Sequence, residues 1–218
     1  FETAWNFDHF YPLQGDKNGP CLEAWVTLSA LAQATSRIRI GCMVNGVPYR
    51  HPALVANMAA SLDIVSGGRL ELGLGAGWNE QETKAYGIDL LPMGQRMDRF
   101  EEAVEVIDSL LAHEITTFQG KYFQLEQARC EPKGPQRPRP PIVIGGGGEK
   151  RTLRIAARFA QHWNLPFATP EVFRKKNEIL LAHCEAVGRD SSQIMRSVQI
   201  ESTADQDPAE VADKAAML

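Results

Sequence analysis

Short β-branched segments that run into glycine, each followed by a segment of helical period, recur along the whole chain. "TAWNFDHF" reads as a strand entering a polar loop, and "EAWVTLSALAQAT" places Trp25, Leu28, Leu31 and Ala32 on one helical face. "RIRIGCMV" is a strand. The helix "HPALVANMAASLDIVSGG" follows, with Pro52 in its first turn, a stripe of Leu54, Met58, Leu62 and Val65, and a Gly67-Gly68 stop. "RLELGLGAG" is the next strand, and a loop carrying Pro92 and Gly94 leads to a helix with Met97, Phe100, Val104, Ile107 and Leu111 in register. A hairpin around Gln119-Gly120 and the Pro-rich connector "KGPQRPRPP" come before "PPIVIGGGG" and a helix through Arg158. The pattern finishes with the strand "HWNL", a helix from Pro170 to Val187, the strand "MRSVQIEST" and the helical "DPAEVADKAAML". Such alternation demands a parallel sheet with helical crossovers, either doubly wound or closed as a (β/α)8 barrel. Six strands are countable, so a closed barrel predicts βα pieces missing at both ends, and the opening "FETAWNFDHF" in place of Met agrees with that expectation. The connector lies inside one repeat of the pattern, so residues 1–218 are expected to form a single domain.

Composition narrows the function classes. A formal charge of −4 argues against a nucleic-acid surface. No apolar run approaches the roughly 20 residues that span a bilayer, and no signal-peptide pattern is present. Cys21, Cys42, Cys130 and Cys184 form no paired motif and have no His at metal-ligand spacing, so no metal site is predicted. Reduced, mostly buried thiols in a cytoplasmic protein are the expectation.

Parallel α/β folds carry their chemistry on the loops after the strand C-termini. Those ends are Asp8-His9, Met43-Val44-Asn45-Gly46, Gly75-Ala76-Gly77-Trp78, Gly145-Gly146-Gly147-Gly148, Trp163-Asn164 and Glu201. A dinucleotide fingerprint fails at both glycine clusters. Lys150 stands where the third glycine belongs in one, and Trp78 in the other. The turn Gly145–Gly148 before a helix meets the weaker demands of a phosphate site, backbone amides and a helix N-terminus with Lys150 and Arg151 close by. It also suits a plain strand-to-helix turn needing positive φ. His9 is either a structural histidine or a proton-exchanging group beside Asp8. Trp78 either stacks on an aromatic cofactor or plugs the end of the sheet, and Glu80 and Glu82 read as a solvated helix start. No serine elbow, Walker loop or H-E-x-x-H occurs.

Taken in order, "WNFDHF", "RIRIGCMVNGVPYRHPALVANMAASLDIVSGGRLELGLGAGWNEQE" and "PPIVIGGGGEKRTLRIAARFAQHWN" resemble the bacterial-luciferase-like superfamily, and most closely its coenzyme F420-dependent oxidoreductases. The resemblance implies a (β/α)8 barrel whose first strand and helix precede Phe1 and whose last follow Leu218. It implies a deazaflavin across the strand ends, with Asp8 and His9 beside its ring, His9 as acid/base and Asp8 as its orienting neighbour. A non-prolyl cis peptide is implied at Met43–Val44, with Met43, Val44, Asn45, Gly75, Ala76, Gly77 and Trp78 lining the cofactor. Gly145, Gly146, Gly147 and Gly148 would then hold its phosphate. Trp78 stands where sugar-phosphate-oxidising members carry a catalytic Glu, which argues against that substrate class. The resemblance further implies a small-molecule substrate and a homodimer. FMN with a monooxygenase reaction is the alternative on the same barrel, and a barrel relative that has lost its cofactor is the alternative of another class.

Overall fold

Leu70–Gly75 is buried at every residue, the mark of a parallel strand covered on both faces. In the computed structural model, which describes residues 1–202 and 205–216, this strand belongs to the first of two units, residues 1–142 and 143–218. The first unit runs β1 (Thr3–Asn6), α1 (Ala24–Ala34), β2 (Arg39–Cys42), β3 (Asn45–Gly46), a 3-10 turn (Val47–Tyr49), α2 (Pro52–Val65) and β4 (Leu70–Gly75). It continues through α3 (Glu80–Ala85), α4 (Met93–Ala112) and a hairpin of β5 (Thr116–Gln119) and β6 (Gln124–Ala128). β1 pairs with β2 in parallel, Ala4 opposite Ile40, and β2 with β4, Ile40 opposite Leu70. The two-residue β3 pairs with the end of β4, Gly46 opposite Gly75. The α/β class with parallel strands is the one that the alternating pattern predicts.

Polar side chains tie down the N-terminal ends of these strands. The Arg69 guanidinium donates to the carbonyls of Ala32, Thr35, Ile38 and Ser66 and to Thr35 Oγ1, closing the loop that joins α1 to β2. Arg39 Nε donates to Glu71 Oε1 at 2.6 Å, and its Nη2 to Gln136 Oε1 at 3.0 Å. Gln136 and the buried Asp63 of α2 bind each other through two further hydrogen bonds. The Pro-rich connector is thereby pinned to α2 and β4. At the hairpin, the Glu102 carboxylate of α4 accepts from the backbone N–H groups of Lys121, Tyr122 and Phe123.

The α4 stripe of Met97, Phe100, Val104, Ile107 and Leu111 is buried throughout, as its period predicts. The α2 stripe is a correction. Leu54 and Val65 are exposed, and the buried face runs through Val55, Ala56, Ala59, Ala60, Leu62 and Asp63. α4 packs on α2, and small residues there let the two helices approach closely.

The second unit holds β7 (Ile142–Gly145) from Val143 onward, α5 (Thr152–Phe159), β8 (His162–Pro166), α6 (Pro170–Ala186), β9 (Met195–Gln199) and α7 (Pro208–Ala216). β7, β8 and β9 are consecutive parallel neighbours, with Ile144 opposite Trp163 and Trp163 opposite Arg196. Trp163 is fully buried and stacks on Phe173. Arg189 donates to the carbonyls of Ala157 and Ala160, satisfying the C-terminal end of α5. The last two residues of the helix predicted from Asp207 lie outside the described residues. All four cysteines are free, Cys21 exposed and the others buried. Among the described residues, no helix is long and apolar enough to cross a membrane.

Candidate active site

At the C-terminal end of β1 the chain delivers Asp8 and His9 in succession, and the two side chains take separate partners. Asp8 is 3% exposed. Its Oδ2 accepts from Arg50 Nη1 at 2.7 Å and from the Gly46 N–H at 3.1 Å, and its Oδ1 accepts from Arg50 Nη2 at 3.0 Å. Arg50 Nη2 also reaches Glu23 Oε1 at 2.6 Å. Burial pulls the Arg50 guanidinium pKa down, but the Asp8 and Glu23 carboxylates outweigh it and the net direction is up. Asp8 therefore fixes the loop after β2. The expectation that it orients His9 is corrected: both its oxygens are committed to Arg50 and Gly46.

His9 is held instead by Glu82. Its Nδ1 lies 2.7 Å from Glu82 Oε2, a side chain only 1% exposed. Glu82 Oε1 accepts from the backbone N–H groups of Phe10 and Tyr11, both at 3.1 Å, and Oε2 accepts from Tyr49 Oη at 3.3 Å. The reading of Glu82 as a solvated helix start is thus corrected, whereas Glu80 is exposed as expected. Asn79 caps α3 by accepting from the Glu82 N–H. Glu82 consequently sits in the first helical turn, where its side chain turns back to the β1 loop and gathers the donors there. Burial raises the Tyr49 phenol, and the neighbouring Glu82 and Asp8 carboxylates push it further up. Among the described residues, the second ring nitrogen of His9, Nε2, has no hydrogen-bond partner.

The loop after β2 contains the Met43–Val44 peptide, which is cis, at the position implied by the family resemblance. It lies flush against the end of β4 because two residues there lack side chains. A Cβ on Gly73 would fall 1.9 Å from the Cys42 carbonyl oxygen, and one on Gly75 would fall 2.5 Å from Val44 Cγ2. Asn45 donates to the Gly73 carbonyl at 2.7 Å and locks the contact. Met43 and Asn45 are buried, Val44 half-buried, Gly75 buried, and Ala76 and Gly77 half-buried. Trp78 is 64% exposed and presents its ring to His9 at 5.4 Å between centroids, nearly edge-on. Asp8, His9, Met43 to Asn45 and Gly75 to Trp78 thus share one end of the sheet in the first unit.

In the second unit, Gly145 pairs with Asn164 on β8. Gly146 has φ +116, a conformation open to glycine. Its N–H donates to the Asn164 carbonyl at 2.9 Å, and its carbonyl accepts from Trp163 Nε1 at 2.8 Å. A Cβ on Gly147 would stand 2.6 Å from Leu165 Cδ1, so the tip of that side chain would have to shift to admit one. Gly148 and Glu149 then lead toward α5, and Lys176 Nζ bonds Glu149 Oε1 at 2.9 Å. The turn is narrow, free of side chains and adjacent to a helix start.

Glu82 is the residue beside His9 that the sequence reading placed in solvent. The signal that could have found it is the Asn79-x-x-Glu82 spacing of a capping box, which places an acid in the first turn facing back along the chain.

A family profile described as luciferase-like monooxygenase matches residues 1–218. The F420-dependent hydroxymycolic acid dehydrogenase of Mycobacterium tuberculosis (strain ATCC 25618 / H37Rv) is 33% identical over 213 residues, covering 96% of this chain and 57% of that protein. The F420-dependent glucose-6-phosphate dehydrogenase of Kineococcus radiotolerans (strain ATCC BAA-149 / DSM 14245 / SRS30216) is 32% identical over 215 residues, covering 96% of this chain and 61% of that protein. An F420-dependent secondary alcohol dehydrogenase, solved in complex with an F420-acetone adduct, superposes with a TM-score of 0.82 at 27% identity over 91% of this chain and 59% of its own. The chain spans less than two thirds of the length of these relatives. With a profile matched over all 218 residues and these relatives aligned over almost its whole length, the chain belongs to the luciferase-like monooxygenase family.

Proposed function

We propose that this chain is the cofactor-binding part of a coenzyme F420-dependent oxidoreductase acting on a small organic substrate. The observation that carries the reading is His9. Its Nδ1 is anchored on a buried carboxylate, its Nε2 has no partner among the described residues, and an exposed tryptophan stands at its edge. The F420 dependence of the two curated relatives supports the choice of cofactor.

The residues present fit such a group. The Met43–Asn45 segment packs against Gly73 and Gly75 at the end of β4, where a planar ring would lie in this reading. In the second unit, taken by itself, Gly147 and Gly148 and the N-terminus of α5 suit a phosphate. When bound, F420 supplies two-electron hydride chemistry. The protein side is derived from the chain itself. His9 Nε2 takes the proton from a substrate hydroxyl as it is oxidised and returns it in the reverse direction. Trp78 covers the edge of His9 and limits its contact with water, while the Asp8–Arg50 pair holds the loop that carries Met43 to Asn45. The fold of this reading is a single (β/α)8 domain to which residues 1–218 contribute.

Fluorescence titration of the full-length protein with each cofactor tests the proposal. Quenching of F420 with no response to FMN is expected, and His9→Ala should lower turnover at least about 100-fold with little change in F420 affinity. Binding of FMN in place of F420 would transfer the protein to the monooxygenase reading. Binding of neither would make it a barrel relative without a cofactor.

A further inference from the structure

We propose that Glu82 is a positioning residue that sets which nitrogen of His9 carries the proton, keeping Nδ1 protonated and Nε2 a lone-pair acceptor. The role rests on the reading of His9 as the proton-exchanging group, but the tautomer it dictates can be tested without any cofactor.

The argument starts from the carboxylate. Glu82 is buried, and two backbone N–H groups, from Phe10 and Tyr11, converge on its Oε1. An ionised carboxylate accepts at both oxygens, and the donors on Glu82, two backbone N–H groups on Oε1 and the Tyr49 hydroxyl on Oε2, favour that form. Its Oε2 faces Tyr49 Oη and His9 Nδ1. At 2.7 Å from an acceptor, Nδ1 must supply the hydrogen. In the neutral imidazole the lone pair is then left on Nε2. The same carboxylate stabilises the imidazolium formed when Nε2 gains a proton. Tyr49 and the two backbone donors hold Glu82 in place independently of His9. The geometry therefore survives a change in the charge of the ring. No neighbour close in sequence provides this support: Glu82 is 73 positions from His9 and arrives on the first turn of α3.

The test is nitrogen NMR of His9 in uniformly 15N-labelled full-length protein, with His9→Gln assigning the signals. In the wild type at about pH 9, where an imidazole is neutral, the Nδ1–H tautomer is expected. Glu82→Gln retains an acceptor for Phe10 and Tyr11 but turns an amide N–H toward Nδ1, so the proton should move to Nε2. Tyr49→Phe removes a different bond to the same carboxylate and should leave the wild-type tautomer in place. With F420 and a substrate alcohol, Glu82→Gln should lose about 100-fold in turnover with F420 affinity unchanged within about threefold. An Nε2–H tautomer in the wild type overturns the proposal even if the variant fails to fold. So does an unchanged tautomer in Glu82→Gln, or a switched tautomer with undiminished turnover. The expected tautomers in a protein that does not bind F420 would uphold Glu82 and refute only the choice of cofactor.

Discussion

Removing the Asp8 carboxylate should destabilise the protein by about 3 kcal/mol, a value worked from its partners. Asp8→Ala deletes the acceptor of three hydrogen bonds, two from Arg50 and one from Gly46. Breaking a buried ion pair from one side costs about 3–5 kcal/mol, because the other charge is left without compensation. Two features place this case at the lower end. The Arg50 side chain is 14% exposed, so water reaches part of it, and Glu23, itself 42% exposed, keeps its bond to Nη2. Asp8→Asn should cost about 2 kcal/mol, since one amide oxygen still accepts while the NH2 group faces a donor. The double variant Asp8→Ala/Arg50→Met removes the stranded charge as well, and the cycle should return a coupling of about 2 kcal/mol. Urea unfolding followed by tryptophan fluorescence measures the four proteins of the cycle, with Arg50→Met as the second single variant, and Asp8→Asn beside them. A loss below about 1 kcal/mol for Asp8→Ala, or additive single changes, would refute the reasoning. In the same variant the His9 tautomer should stay as in the wild type, because Asp8 does not touch the ring.

Gly147→Ala should separate fold from cofactor affinity. The added methyl meets only the tip of Leu165, so stability should fall by no more than about 1–2 kcal/mol, while F420 affinity in the fluorescence titration should drop at least tenfold if the turn receives the phosphate; unchanged affinity would remove the turn from the site. His162, buried and 2.6 Å from Ser197 Oγ, has its pKa lowered by burial from 6.5 to about 4. The unfolded chain therefore binds a proton as pH falls before the folded chain does. The stabilising contribution is complete above about pH 6.5 and is lost between there and about pH 4, to a limit of about 3 kcal/mol. Unfolding free energies of wild type and His162→Gln over that range should converge as pH falls, and parallel curves would refute the assignment.

What the sequence disclosed depended on how far a residue's decisive partner lies along the chain. The α4 stripe was legible because its large apolar residues report burial directly. The α2 face was misread because alanines do much of its packing and Asp63 is buried against the connector near Gln136, so apolar volume is a poor guide there. Strand-end residues such as Asp8, His9 and the glycines before Trp78 could be picked out by topology alone. Their pairings could not. Asp8 meets Arg50 across 42 positions, and adjacency in sequence suggested His9 instead. Glu82 had the local signature of a helix-capping acid, and only the return of the β1 loop over α3 converts it into a buried hub. Gly145–Gly148 was legible as a turn, and Gly146 has the positive φ that such a turn requires.

The Arg69 guanidinium works at the opposite ends of the strands from His9 and Glu82. It gathers carbonyls from the end of α1, the approach to β2 and the end of α2. A sheet wired in this way can tolerate divergence of its two rims at different rates. Replacements around His9, Trp78 and the Met43–Asn45 segment leave the anchoring rim intact, and that rim keeps the strands in register. A change at Arg69 would shorten the lifetime of every variant alike, whatever its substrate, and would look like loss of expression before it looked like loss of activity.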